Sequence, residues 1–276
     1  MLAGTSILSA NLVLTRLLSQ DIPPFEIVFF RGLFSLLALS PVLISIGPAR
    51  LFRTSRLSLH ALRAGLAICS SAAWYYAIAR VPLADAMAIN FVASIFVSIG
   101  AVLFLGERSV PQRWFAVAIG VVGMLIIVRP GFHVISVGIL VVIGSAVFWA
   151  GSTLLLKLLL RGDASVTLLV YLYGFGALFS FPLALLNWTP LTLTHVLMLA
   201  AMGFMSTAGN FCFTHAFKVA DATAVAPVDF MRLVWAAIVG YVAFSEVPSV
   251  WVFVGGGVIF ASTTFLAFSE RRSLAG

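Results

Sequence analysis

Ten apolar runs, most of them long enough to cross a lipid bilayer, fill this chain and leave little between them. They are Leu2–Leu18, Pro24–Ile46, Leu59–Ala79, Ala84–Leu105, Arg113–Ile127, Val137–Leu160, Val166–Leu186, His195–Phe217, Ala222–Phe244 and Val250–Phe268. A helix needs about 20 mostly apolar residues to span ~30 Å of hydrocarbon; the first and fifth runs are shorter. Inside hydrocarbon every backbone N–H and C=O must be satisfied by protein, which leaves only helices and closed barrels. Barrel strands are short and alternate in polarity. These runs are long and continuous. The chain therefore reads as an all-α membrane protein with ten transmembrane helices and no room for a separate soluble domain.

Composition excludes the soluble alternative. Hydrophobic residues make up 62% of the 276 residues and charged residues 9%, against about 45–50% and ~25% in soluble domains. The net charge of +7 does not point to nucleic acid, because the basic residues stand between apolar runs, with no exposed aromatics interleaved. Cys69 and Cys212 fall inside apolar runs at no metal or redox spacing, and no cofactor is expected. Met1 leads into Leu2-Ala3-Gly4 with no basic segment, so the first run reads as a membrane span and not as a cleaved leader.

Lysine and arginine orient the chain. Eleven of the 16 collect on one side of a ten-span layout: Arg50, Arg53, Arg56, Arg63, Arg108, Arg113, Lys157, Arg161, Lys218, Arg271 and Arg272. Arg16, Arg80 and Arg129 fall on the other side, and Arg31 and Arg232 lie within runs. The positive-inside rule then puts both termini in the cytoplasm. One missed helix would scramble the bias, so the charge count also checks the span count.

The runs come in two related sets. Arg16 and Lys157 stand 141 positions apart, as do Pro41 and Pro182; Arg80 and Lys218 stand 138 apart, Glu107 and Glu246 139, and Trp114 and Trp251 137. Each match alone is weak, but five in order at nearly one offset divide the chain into residues 1–131 and 132–276. Each half holds five runs. Five is odd, so the second half enters the membrane upside down, the inverted repeat of many secondary transporters, which bind substrate near the midplane.

At these residues the chain resembles the drug/metabolite transporter superfamily in its EamA-type branch. The likeness is carried by His60-Ala61-Leu62-Arg63-Ala64, Trp74-Tyr75-Tyr76-Ala77, Val81-Pro82-Leu83-Ala84-Asp85-Ala86, Leu105-Gly106-Glu107-Arg108, Arg113-Trp114 and Arg129-Pro130-Gly131. It covers nearly the whole chain and is similar to the subgroup of bacterial riboflavin and S-adenosylmethionine transporters. The resemblance implies two inverted five-helix repeats in an inner bacterial membrane and a small-molecule substrate. It is specific for the family and poor for the substrate.

Candidate site residues are the polar groups stranded inside runs. Asp229 and Arg232 lie mid-run one helical turn apart. A charge at the membrane centre costs about 2.5–3.5 kcal/mol. The pair reads as a substrate or coupling-proton site, or else as a structural ion pair. Pro227, two residues before Asp229, frees a backbone carbonyl; it opens the ninth run as in transporters with broken helices, or only kinks it. Asn90, in the corresponding part of the fourth run, faces the same cavity or bridges to a neighbour. Asn210 and Asn11 are similar lining candidates. Trp74, Tyr75 and Tyr76 offer rings for a flat or cationic substrate, with an interfacial aromatic belt as the alternative. Trp149 is mid-run, where the belt does not explain it. Arg31, about 10 Å of helix rise past Pro24, binds an anion or snorkels to the surface. His215 reads as interfacial. Asp85 and Asp221 read as helix caps; Glu107 and Glu246 read as structural or gating contacts at opposite faces. Gly120, Gly123 and Gly255 to Gly257 read as packing residues or a homodimer contact.

The leading function is secondary transport of a small organic metabolite, with proton coupling open. A membrane-embedded enzyme needs paired acids or His–Asp clusters at one interface, and the four histidines are scattered. A passive channel or scaffold subunit is the third class. The orientation is testable by fusion. A C-terminal green fluorescent protein fusion fluoresces, and the matching alkaline phosphatase fusion is inactive; the reverse pattern overturns the cytoplasmic C-terminus.

Overall fold

A computed structural model describes residues 2–46, 54–106, 111–129, 136–219 and 222–275, without the side chains of 2–6, 8, 9, 46, 98, 112, 113, 210–231, 263 and 266–275. All regular structure among the described residues is helical: α1 (Leu2–Asp21), α2 (Pro24–Ile46), α3 (Leu57–Ile78), α4 (Leu83–Asn90), α5 (Ala93–Leu105), α6 (Pro111–Val128), α7 (Val137–Leu159), α8 (Ser165–Leu185), α9 (Leu193–Val219), α10 (Ala222–Phe244) and α11 (Val250–Ala275). Each apolar run corresponds to one helix, except the fourth, which is split into α4 and α5. By length and apolarity, Pro24–Ser45, Leu83–Leu105, Val137–Leu159 and Ser165–Leu185 suffice to cross a membrane; Trp114–Val128, Leu193–Gly209, Arg232–Phe244 and Val250–Ser262 are shorter apolar stretches.

Helix ends differ from the runs where polar residues continue a helix. α1 extends past Leu18 to Asp21, so Arg16 lies within it and not at its end. Pro41 and Pro182 sit inside α2 and α8 without interrupting them. Arg63, counted above as a loop charge, lies inside α3 and is 6% exposed. Asp85 is not the cap of its helix: Pro82 occupies that position, and Asp85 falls in the first turn, where a carboxylate still complements the helix dipole.

The two halves of the sequence interleave. α3 packs along α7 and α1 along α9; α2 packs on α8 and α6 on α11; α5 meets α7 and α10 meets α1. Side chains whose atoms would be stranded in hydrocarbon bond across these crossings. Ser70 Oγ donates to Ser145 O and Ser145 Oγ to Ser70 O, each at 2.9 Å. Asn11 Nδ2 donates to Met202 O at 3.1 Å and to Ser206 Oγ at 2.9 Å. Ser152 Oγ donates to Arg63 O at 3.2 Å. Such interhelical bonds contribute about 0.6 kcal/mol each on average. The outer surface carries large apolar side chains, among them Leu37, Leu103, Phe104, Leu178 and Phe253, as a lipid-facing belt requires.

Two glycines bring α6 and α11 into backbone contact. A Cβ on Gly123 would stand 2.8 Å from Gly255 O. Ser262 Oγ donates to Ala116 O across the same seam. This part of the glycine set is therefore used within the chain and is not a homodimer contact, whereas a Cβ on Gly257 meets open space. Gly123→Leu forces the two helices apart, and overpacking costs about 1–3 kcal/mol. Denaturant unfolding of the purified protein in micelles is expected to show that loss for Gly123→Leu and a change within about 0.5 kcal/mol for Gly257→Leu.

Candidate functional site

The interrupted run is the fourth, which holds no proline, and not the ninth, which holds Pro227. α4 ends at Asn90, and Phe91 and Val92 form a turn before α5. There Val92 N donates to Ile89 O at 3.0 Å and Ile95 N to Val92 O at 2.9 Å, three-residue steps that tighten the ladder and break its regular four-residue register. Asn90 is half-buried at this break. α10, by contrast, runs unbroken from Ala222 to Phe244 past Pro227. Pro227 is the sixth residue of that helix, past the first turn, so one backbone hydrogen bond of the ladder is missing there. The break in the described helices falls in the fourth run, and the ninth continues as one helix. The side chains of Pro227, Asp229, Asn210 and His215 lie outside the described residues, as do Glu107 and Asp221. Arg232 is half-buried and engaged by neighbouring groups.

Arg31 does not snorkel. Its Nη2 donates to Ser71 Oγ at 3.1 Å, and its guanidinium carbon lies 5.6 Å from the centroid of the Tyr75 ring. Both partners are on α3, so the charge is turned inward from α2. Arg31 and Trp149 line a cavity of about 240 Å³ between α2, α3, α7 and α8, together with Arg63, Ser71, Tyr173 and Gly176. Tyr75 is 3% exposed. The structure thus places Arg31 and Trp149 on one cavity and Tyr75 against Arg31.

Two further candidates serve packing. Trp74 touches three separate clusters of buried side chains, built around Leu12 and Met87, around Ile27 and Met202, and around Ile78 and Val142. It is a central packing residue and no member of a belt. Asn11 is 6% exposed, with its amide committed to α9 and its Oδ1 3.3 Å from Thr15 Oγ1. Sequence reasoning missed Arg63, Ser71 and Tyr173. One signal was present: Arg63, Ala67 and Ser71 recur at helical spacing inside the third run, one face small and polar.

A latch closes the end of the bundle that the arginine count assigns to the outside. Arg16 Nη2 lies 2.8 Å from Glu246 Oε1, and Arg16 Nη1 donates to Val81 O at 2.7 Å. Leu83 N donates to Glu246 Oε2 at 2.8 Å. The latch ties α1 and the α3–α4 turn to the α10–α11 turn. Ser245, just before Glu246, has φ 55°, a left-handed residue that ends α10 and folds the glutamate back over it. Gly240 leaves space for that carboxylate: a Cβ there would stand 3.1 Å from Glu246 Oε2. Gly106, just before Glu107, ends α5 with φ 65°, the same device in the other half.

The profile of the EamA-like transporter family matches residues 1–129 and again residues 136–268. The chain belongs to that family. An S-adenosylmethionine uptake transporter of Rickettsia bellii is 31% identical over 267 residues, covering 97% of this chain and 91% of that one. A riboflavin transporter of Vibrio cholerae is 30% identical over 253 residues, covering 91% and 85%. A solved crystal structure matches the fold with a TM-score of 0.69 at 15% identity, covering 98% of this chain and 96% of that chain. A multi-pass transporter therefore carries both the Arg31 cavity and the Arg16–Glu246 latch.

The latch is partly buried, its two side chains 14% and 15% exposed. Hydrogen bonds to charged groups contribute about 1.5–3 kcal/mol each. Glu246→Gln is expected to lower the thermal unfolding midpoint of the detergent-purified transporter by several degrees. The reversed pair Arg16→Glu with Glu246→Arg recovers part of that loss relative to either single change. Absence of recovery marks the two sites as uncoupled.

Proposed function

We propose that this transporter carries a small organic metabolite across the inner membrane by alternating access, with residues 1–131 and 132–276 acting as inverted five-helix repeats and both termini in the cytoplasm. The observation that carries the reading is the exchange pattern of the packing. If α1 and α7 are counterparts, and α3 and α9, then the contact of α3 with α7 has its exchanged partner in α9 with α1. The contact of α5 with α7 is likewise matched by α10 with α1, and α3 with α8 by α9 with α2. Hydrogen bonds follow the same rule. Asn11 and Ser152, 141 positions apart, donate to Met202 O and Arg63 O, 139 apart. The two matches of the family profile support the same division.

The substrate class is a flavin, S-adenosylmethionine, an amino acid or a similar metabolite, in line with what the named relatives carry. Asp229 and Arg232, one turn apart on α10, are the substrate or proton-coupling pair at the midplane, with Asn90 at the α4–α5 break as a further lining group. Freed backbone groups and ionisable side chains at that depth are the means by which secondary transporters hold polar cargo.

Gating follows from the latch. Arg16–Glu246 holds the outer end shut, and the halves rock when it opens. Lys157 and Glu107 occupy the counterpart positions at the cytoplasmic end and close it in the alternate state, so that one latch forms as the other breaks. Arg232 steadies the Asp229 carboxylate, and a proton taken up by Asp229 couples the cycle to the gradient.

Flux into proteoliposomes loaded after a thermal-shift screen against riboflavin, S-adenosylmethionine and amino acids tests this reading. Any ligand that binds only the folded state raises the unfolding temperature. Asp229→Asn is expected to lower flux at least tenfold without loss of expression. A transmembrane pH gradient is expected to change the wild-type rate several-fold. Equal rates with and without the gradient remove proton coupling, and unchanged flux in Asp229→Asn removes the site.

A further inference from the structure

The cavity between α2, α3, α7 and α8 has no described lining residue on α10, and its charge is unbalanced. Arg31 and Arg63 both line it, and no carboxylate does so among the described lining residues. Arg63 is 6% exposed; its Nη1 donates to Leu168 O at 3.0 Å. The Nε atoms of Arg31 and Arg63 are both buried without a hydrogen-bond partner, and so is the Tyr75 hydroxyl behind Arg31. The nearby Asp163 is committed elsewhere, its Oδ2 lying 2.9 Å from His60 Nε2 and accepting from Thr54 Oγ1 at 3.0 Å. Two guanidiniums facing one low-dielectric space without a counter-charge are costly. An anion entering the cavity removes that cost, and arginine forks suit carboxylate and phosphate oxygens.

The rest of the wall is apolar. Ile68, Leu156, Leu169 and Leu172 line it, and Trp149 stands at its margin, 51% exposed. The cavity reaches from Ser71 at mid-helix towards the α7–α8 turn at Leu160 and Ser165, the end opposite the Arg16–Glu246 latch. We propose that this cavity binds an amphiphilic organic anion, with its carboxylate or phosphate between Arg31 and Arg63 and its apolar body against Leu172 and Trp149. A soluble organic acid and the headgroup of an anionic phospholipid share that chemistry. The inference stands apart from the transport reading, since equilibrium binding reads it without flux.

The test uses the full chain in phosphatidylcholine nanodiscs, with 1-naphthyl phosphate as the anionic probe and 1-naphthol as its neutral counterpart, followed by calorimetry. Saturable binding of the phosphate at least tenfold tighter than the naphthol is expected. Arg31→Gln and Arg63→Gln each weaken it at least fivefold, and Arg63→Lys less than Arg63→Gln. Gly176→Leu is the variant that does not depend on removing a buried charge. A Cβ at Gly176 meets open space, so the helix tolerates the side chain while the cavity is filled, and binding is lost with the circular dichroism unchanged. A second arm adds phosphatidylglycerol and follows retained lipid by native mass spectrometry. Retention by the wild type and not by the Arg31→Gln/Arg63→Gln double variant supports the site with a lipid headgroup as its source. Naphthyl phosphate binding without such retention supports it with a soluble acid. Equal affinity for both naphthyl probes with no arginine-dependent lipid retention overturns it, as does phosphate binding that Gly176→Leu leaves intact.

Discussion

A polar group inside hydrocarbon has only protein to bond to, and most of this architecture follows from that restriction. Backbone groups are paired within helices. The few hydroxyls and amides that remain reach across to a neighbouring helix, as Ser70, Ser145, Ser152 and Asn11 do. They bond mainly to main-chain carbonyls. A carbonyl in a helix keeps a second lone pair free, so the bond is added without breaking the ladder. The crossings so fixed are those between the halves, which is why α1 and α3 each lie against helices of the other half.

The same restriction sorts the charges. Polar side chains pair across elements: Arg16 meets Glu246, and His60 meets Asp163. Charges inside the bundle are few, and most of the described ones meet neutral groups: Arg63 donates to Leu168 O, and Glu26 accepts from Thr189 N. Arg31 leans on Ser71 and Tyr75, partners that carry no negative charge. The distinction separates a stabilising ion pair from a binding group more sharply than burial does.

Much of the fold was legible in the sequence because lipid enforces a single periodic rule over some twenty residues at a time. Nine of the ten runs each correspond to one helix, and the family is that of EamA-like transporters. What failed was local. Hydropathy does not see a break made by three-residue hydrogen-bond steps, so the division of the fourth run at Phe91 was not visible. Pro227 drew attention to the ninth run, yet that run continues as one helix from Ala222 to Phe244. Arg63 was read as a loop charge because it lies close to a run boundary, although it sits inside α3. Ser71 and Tyr173 are chemically ordinary, and only the crossing of four helices gathers them. The pairing of Arg16 with Glu246, 230 positions along the chain, depends on tertiary packing that no local pattern encodes.

Ser245 and Gly106 hold the same left-handed backbone before their glutamates, but only one of them is built for it. Glycine adopts that conformation without strain and also samples many others. Serine pays a steric cost of about 1–2 kcal/mol there, yet has fewer alternatives when the turn loosens. The turn at Ser245 is therefore narrow and strained, whereas the turn at Gly106 forms without strain. Two turns of one backbone shape thus differ in what they cost to form, by the presence of a single side chain.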